Sequence, residues 1–175
     1  MNTTERQTVP EQEAREHLWS LIKDIRFAMF TTRHPGHGHL HSRPMTTQNS
    51  NLDEDGSLWF FMSRQSEPLA DLLQDPVVSV TYADPGSDCY VSVSGTAAVV
   101  DDRTKKEALW SKMAAAWFPQ GAGDPDLALV QVRIVHAGYW DVKESKIVQL
   151  FKMAQAAVTG KPPLGLGEHA EVRMV

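Results

Sequence analysis

The sequence predicts a single α+β domain built on a small antiparallel β-barrel. Three observations predict it. About six runs rich in β-branched and aromatic residues are separated by short Gly-, Pro- and Asp-containing turns. Helical periodicity is confined to the ends and one side segment. Strands do not alternate with long helices, which argues against a doubly wound parallel sheet. At 175 residues the chain suits one domain. A domain of this size buries about 68–70% of its unfolded-chain surface, enough for a true core.

Residues 1–10 read as a flexible start and 11–158 as the folded domain, with 159–175 as a tail. Pro10 stands before Glu11-Gln12-Glu13, a good helix entrance, and Leu18, Leu21, Ile22 and Ile25 fall at helical spacing. A three-stranded meander follows: Ile25 to Thr32, His39 to Gln48 and Ser57 to Ser63, linked by a His/Gly/Pro turn and by Asn51 to Gly56. Ser66 as N-cap and Pro68 in the first turn predict a short helix over Glu67 to Leu73, ended by Pro76. Val77 to Tyr82 is β-branched and extended, and Asp84-Pro85-Gly86-Ser87-Asp88 turns it into Cys89 to Val100, where Val and Ser alternate. A helix is expected from Asp102 through Met113 and Ala116, then a Gly/Pro/Asp loop from Gln120 to Pro125. Asp126 to Val135 and Ala137 to Val142 read as a closing hairpin, Lys146 to Val158 as a last helix, and the tail as extended and peripheral.

Composition removes several function classes. Hydrophobic residues are 42% and charged ones 22%, ordinary for a globular protein. A net charge of −5 argues against an electrostatic nucleic-acid binder. Residues 1–16 lack an apolar leader core, and no run of about 18 apolar residues occurs, so a cytoplasmic chain without a membrane span is expected. Cys89 is the single cysteine, which excludes an internal disulfide and a Cys-rich zinc site.

Gly36 and Gly38 lie in a hairpin turn and open no helix, so they form no phosphate loop. Neither a Gly-x-Ser-x-Gly elbow nor a His-Glu-x-x-His motif is present. His39 and His41 share one strand face, but His34, His37, His39 and His41 have no carboxylate or Cys close in sequence. A solvated turn leading into a strand is therefore the expectation, with no metal site. Cys89 follows Asp88, which would raise its pKa rather than activate it. Trp59 and Trp110 suit core or interface packing, whereas Trp117 and Trp140 suit packing and flat-ligand contact equally. Arg43 is the strongest single candidate. It sits in Ser42-Arg43-Pro44-Met45-Thr46-Thr47, where a Pro confines the strand to an edge or an opening. A guanidinium fork there suits a nucleotide-like phosphate.

His41-Ser42-Arg43-Pro44-Met45, Leu58-Trp59-Phe60-Phe61-Met62-Ser63, Tyr90-Val91-Ser92-Val93-Ser94-Gly95, Ala116-Trp117-Phe118-Pro119, Asp124 to Leu129 and Tyr139-Trp140-Asp141 together resemble the general stress protein branch of the pyridoxamine 5′-phosphate oxidase-like flavoproteins. The motifs are individually weak, but their order and spacing are specific. The resemblance implies a six-stranded antiparallel split β-barrel with flanking helices, homodimeric, with two FMN molecules (FAD is the alternative) between subunits. It implies cofactor contacts from Arg43, Pro44, Met45, Thr46, Thr47, Phe61, Met62, Ser63, Ser66 and Trp117, and from Trp140 of the partner chain. Arg43 would lie towards the phosphate, beside the N-terminus of the helix that Ser66 opens.

Two departures bear on function. Glu67-Pro68 stands where the family often has a phosphate-binding Lys. Lys146-Ile147-Val148-Gln149-Leu150 replaces the Arg-Leu-His segment that holds the substrate of true pyridoxamine-phosphate oxidases, which argues against vitamin-B6 oxidation. The resulting expectation is a stress-linked flavoprotein, reduced by a nicotinamide if it turns over, with no acid or base assignable. The alternatives are a non-catalytic flavin-binding or sensing protein, an oxidoreductase holding deazaflavin or haem in the same cleft, and a dimer that acts through partners with an empty cleft.

Overall fold

The computed structural model describes residues 11–52, 56–141 and 168–173. The element order is α1 (Glu11–Ile22), β1 (Ala28–Arg33), β2 (Leu40–Met45), β3 (Ser57–Ser63), α2 (Glu67–Gln74), β4 (Val77–Asp84), β5 (Cys89–Val100), α3 (Arg103–Ala108), β6 (Leu127–Asp141) and β7 (Glu168–Arg173). Neighbouring strands run antiparallel in the order β2-β1-β4-β5-β6-β3, with β7 added on β6. No described helix is long and apolar enough to cross a membrane.

The sheet curls because its two ends meet. β2 and β3 terminate the strand order, yet Thr47 and Phe60 form an antiparallel bridge. Beside it the Gln48 N–H donates to the Trp59 carbonyl at 2.8 Å, and the Trp59 N–H donates to Asn49 Oδ1 at 2.7 Å. Contact begins only past Met45, so the barrel closes on one side of Pro44 and is split on the other. Pro44 lies on an edge strand, where its missing N–H costs no ladder bond.

Strand alternation fills the interior. Phe30, Phe60, Val80, Tyr82, Val93 and Val130 are buried in the main core, and Leu18 and Ile22 of α1 plug it. β3 is buried on both faces. Leu58, Phe60 and Met62 face the main core, while Trp59 and Phe61 join Ala114, Phe118, Leu127 and Leu129 in a second cluster. Tyr82 donates to or accepts from Thr47 Oγ1 at 2.7 Å, and burial pushes its phenol well above the ordinary range.

The expected meander is not continuous, since β3 pairs with β6 and meets the end of β2 only at the Thr47–Phe60 bridge. Two expected elements also need correction. Residues 127–141 form one strand of 15 residues, not a hairpin broken at His136. A bulge accounts for the misreading. Ser94 pairs with His136 and Gly95 with Ile134, so Val135 is the extra residue and the inside–outside alternation slips there. A Cβ on Gly95 would overlap the Arg133 carbonyl, so glycine permits this close approach. At the bulge β6 changes partner, from β3 (residues 127–133) to β7 (residues 136–141). The second correction is α3, which stops at Ala108. Asp102 caps it through the Lys105 N–H at 2.9 Å, but Ser111 Oγ then accepts from the Ala114 N–H at 3.2 Å and starts a separate 3-10 turn. The expected helix over Lys146 to Val158 and the start 1–10 lie outside the described residues. Within the tail, 168–173 is a paired strand.

Candidate functional site

A cleft of about 390 Å³ opens where the barrel splits. Pro44, Met45 and Thr46 form one wall, Phe61, Met62 and Ser63 the opposite wall, and Ser66 and Pro68 at the start of α2 one end. The segment after α3 supplies a roof of Met113, Trp117 and Phe118. The floor is apolar because β3 offers large side chains to both faces. Trp117 is 80% exposed, an unusual state for an indole, and so is free to cover a flat ligand. Phe27 and Met113, far apart in the chain, are tied through Arg26. Its guanidinium stacks 4.9 Å over the Phe27 ring and its Nη2 lies 3.3 Å from Met113 Sδ.

Polar groups gather at the ends of the cleft. Ser66 is the N-cap residue of α2 as expected, but its hydroxyl donates to the Ser63 carbonyl at 2.7 Å, leaving the helix start without a side-chain cap. Asp126 lines the cleft, and its Oδ1 is buried without a hydrogen-bond partner. Arg43 lies behind the wall rather than on it. Its Nη1 donates to Thr32 Oγ1 at 2.8 Å, and the Thr32 hydroxyl donates to Asp71 Oδ2 at 2.7 Å. Arg43 Nη2 is buried 3.8 Å from Asp71 Oδ2 and has no hydrogen-bond partner among the described residues. A buried guanidinium nitrogen without an acceptor is costly, and an incoming anion would satisfy it. Glu67 Oε1 lies 3.2 Å from His41 Nδ1, and a carboxylate oxygen of Glu67 stays within 4.8 Å of Asp71.

Most of the sequence-derived site residues converge. Pro44, Met45, Thr46, Phe61, Met62, Ser63, Ser66 and Trp117 all line the cleft. Thr47 does not, being engaged with Tyr82 and in the bridge that closes the barrel. Trp140 pairs with Tyr90 and His169 on the sheet, away from the lining, and is 46% exposed. Phe27, Gln48, Met113, Phe118 and Asp126 line the cleft but were missed. For Phe118 and Asp126 a signal existed, since both lie in motifs that carried the resemblance. Cys89 is buried, and burial pushes its thiol up. Asp141 and Asp84 add to that rise, rather than the adjacent Asp88 that the sequence pointed to.

The family model for "Pyridoxamine 5′-phosphate oxidase like" proteins matches residues 13–163. The chain belongs to this family. Several similar solved structures are of general stress proteins. The general stress FMN/FAD binding protein of the phytopathogen Xanthomonas citri is 32% identical, covering 77% of this chain and 92% of that one, with a TM-score of 0.64. The General Stress Protein 26 of Bacillus anthracis str. Sterne is 24% identical, covers 73% of this chain and 93% of its own, and has a TM-score of 0.63. Protein bli-3 of Neurospora crassa is 28% identical over 165 residues, 88% of this chain and 77% of that protein.

Proposed function

We propose that this chain binds FMN, with FAD as the second candidate, in the cleft at the barrel split, and that two copies form a homodimer. The observation that carries the reading is an apolar slot walled by Pro44, joined in the chain to Arg43, whose buried Nη2 has no hydrogen-bond partner among the described residues. The slot suits an isoalloxazine. Its volume falls in the ordinary range for ligand sites, about 300–1,000 Å³. Arg43 and the start of α2, which has no side-chain cap, would hold the phosphate, while Glu67 is engaged by His41 at 3.2 Å. Asp126 Oδ1 would accept from a hydroxyl of the ribityl chain. Phe61, Met62 and Trp117 would flank the ring and exclude water. Bound flavin supplies hydride and single-electron transfer that no side chain here can. Apolar residues exposed on the sheet, including Met29, Val77, Tyr90 and Trp140, support a subunit contact.

A redox role with a nicotinamide reductant follows if the flavin turns over. The cleft lining favours a second reading beside it, a flavin-binding or sensing protein without turnover. Asp126 is the one acid or base among the lining residues, so proton transfer to a substrate has little support. Absorption spectra of untreated protein, with mass spectrometry of what denaturation releases, test the cofactor. FMN titration of stripped protein should quench flavin fluorescence at one flavin per chain. A monomer that leaves flavin fluorescence unchanged would overturn the reading, and a haem or deazaflavin spectrum would replace it. NADH-dependent bleaching of the flavin separates the redox protein from the sensor.

A further inference from the structure

A second cluster of chemistry-bearing side chains lies between α2 and the β1–β2 hairpin, and none of them lines the cleft. In sequence, the histidines of the β1–β2 hairpin have no carboxylate nearby. The fold supplies two. Glu67 and Asp71 are four residues apart on α2, so they share one helix face. That face packs on β1, where Thr32 bonds Asp71 and Arg33 pairs with Asp75 at 3.4 Å. The hairpin folds back through the His34 N–H bond to the His39 carbonyl, at 2.9 Å. Ligand atoms of His34, Glu67 and Asp71 consequently lie within 4.8 Å of one another. His41 Nδ1 stands 3.2 Å from Glu67 Oε1. The His34 ring stacks on His37 and His39 with centroids 5.0 and 5.2 Å away.

We propose that this corner is a binding site for a divalent first-row transition cation such as zinc, with His34, Glu67 and Asp71 as ligands and His41 placed to fill a fourth position. Ligand atoms on a tetrahedral zinc are about 3.4 Å apart, given bonds of about 2.0–2.1 Å. Rotation of the Glu67 side chain, which is 49% exposed, supplies much of the closure needed. Mixed imidazole and carboxylate donors suit zinc and its neighbours rather than calcium or magnesium. The two carboxylates offset the added charge in part, since Asp71 also faces Arg43 at 3.8 Å. A marker of loading is built into the hairpin. His34 Nδ1 accepts from the Gly36 N–H at 3.2 Å. If the ion binds Nδ1, that lone pair is taken. If it binds Nε2, Nδ1 must carry the proton. Either way the Gly36 N–H loses its acceptor.

The test uses full-length protein without a histidine tag, stripped with chelator and dialysed against zinc chloride, with metal analysis and competition by a chromophoric chelator. One zinc per chain is expected, together with a shift of the Gly36 amide resonance. His34→Ala and Glu67→Gln should each weaken binding by about tenfold or more. Both positions are partly exposed, so the variants should fold, which circular dichroism checks. Absence of saturable uptake would overturn the proposal. So would unchanged affinity in both variants, or a loss seen only on substituting His37 and His39, which would mark a histidine-only chelate. The readout needs no flavin, so its failure leaves the cleft reading untouched.

Discussion

Two polar pairs involve α2 and differ in their access to water. Arg43 and Asp71 are 15% and 3% exposed, and they share Thr32 between them. His41 and Glu67 are 45% and 49% exposed and touch at 3.2 Å. The shorter contact is the weaker one energetically. Water solvates and screens the outer pair, whereas the inner pair is almost wholly cut off from it. Burial, more than distance, decides what each pair contributes.

Removing a member of the inner pair should produce the largest effect. Arg43→Ala leaves Asp71 as a lone buried charge and should cost about 3–5 kcal/mol in urea unfolding. It should also abolish FMN binding under conditions where the variant remains folded by circular dichroism. Unchanged flavin affinity would remove Arg43 from the phosphate site. A neutral buried bond gives the intermediate case. Tyr82→Phe deletes the bond to Thr47 and should cost about 1 kcal/mol. The same residue has a pH signature. The unfolded chain releases the phenol proton near pH 10, whereas the folded chain keeps it because burial raises its pKa. The unfolded state therefore gains as pH rises, and stability should fall above about pH 10. Thermal melts across that range should show a shallower decline for Tyr82→Phe. The outer pair should matter least. Glu67→Gln in metal-free protein should change stability by less than about 1 kcal/mol, and added salt should shrink the difference further. A loss as large as that of Arg43→Ala would break the comparison.

Local pattern made much of the fold legible. Ser57–Ser63 and Cys89–Val100 have the bounds that turns and alternation predict, because each strand is delimited by residues that cannot continue it. The single strand 127–141 was not legible. A one-residue bulge at Val135 mimics the end of a strand, and only the partner β5 identifies it as a bulge. Of the candidate site, the walls were readable from Pro44 and from the motif around Phe61. The inward turn of Arg43 was not, since it depends on Asp71 arriving from another element. Phe27 and Met113 were missed for the same reason: an arginine between them joins residues far apart in the chain.

The change of partner in β6 also has a consequence for solubility. Beyond Val135 the strand stays paired with β5 on one flank, and among the described residues β7 covers the other. If β7 detached, residues 136–141 would become an open rail of amides and carbonyls, able to recruit a strand from a neighbouring molecule. The short ribbon at 168–173 thus guards against fibre-like association as well as extending the sheet.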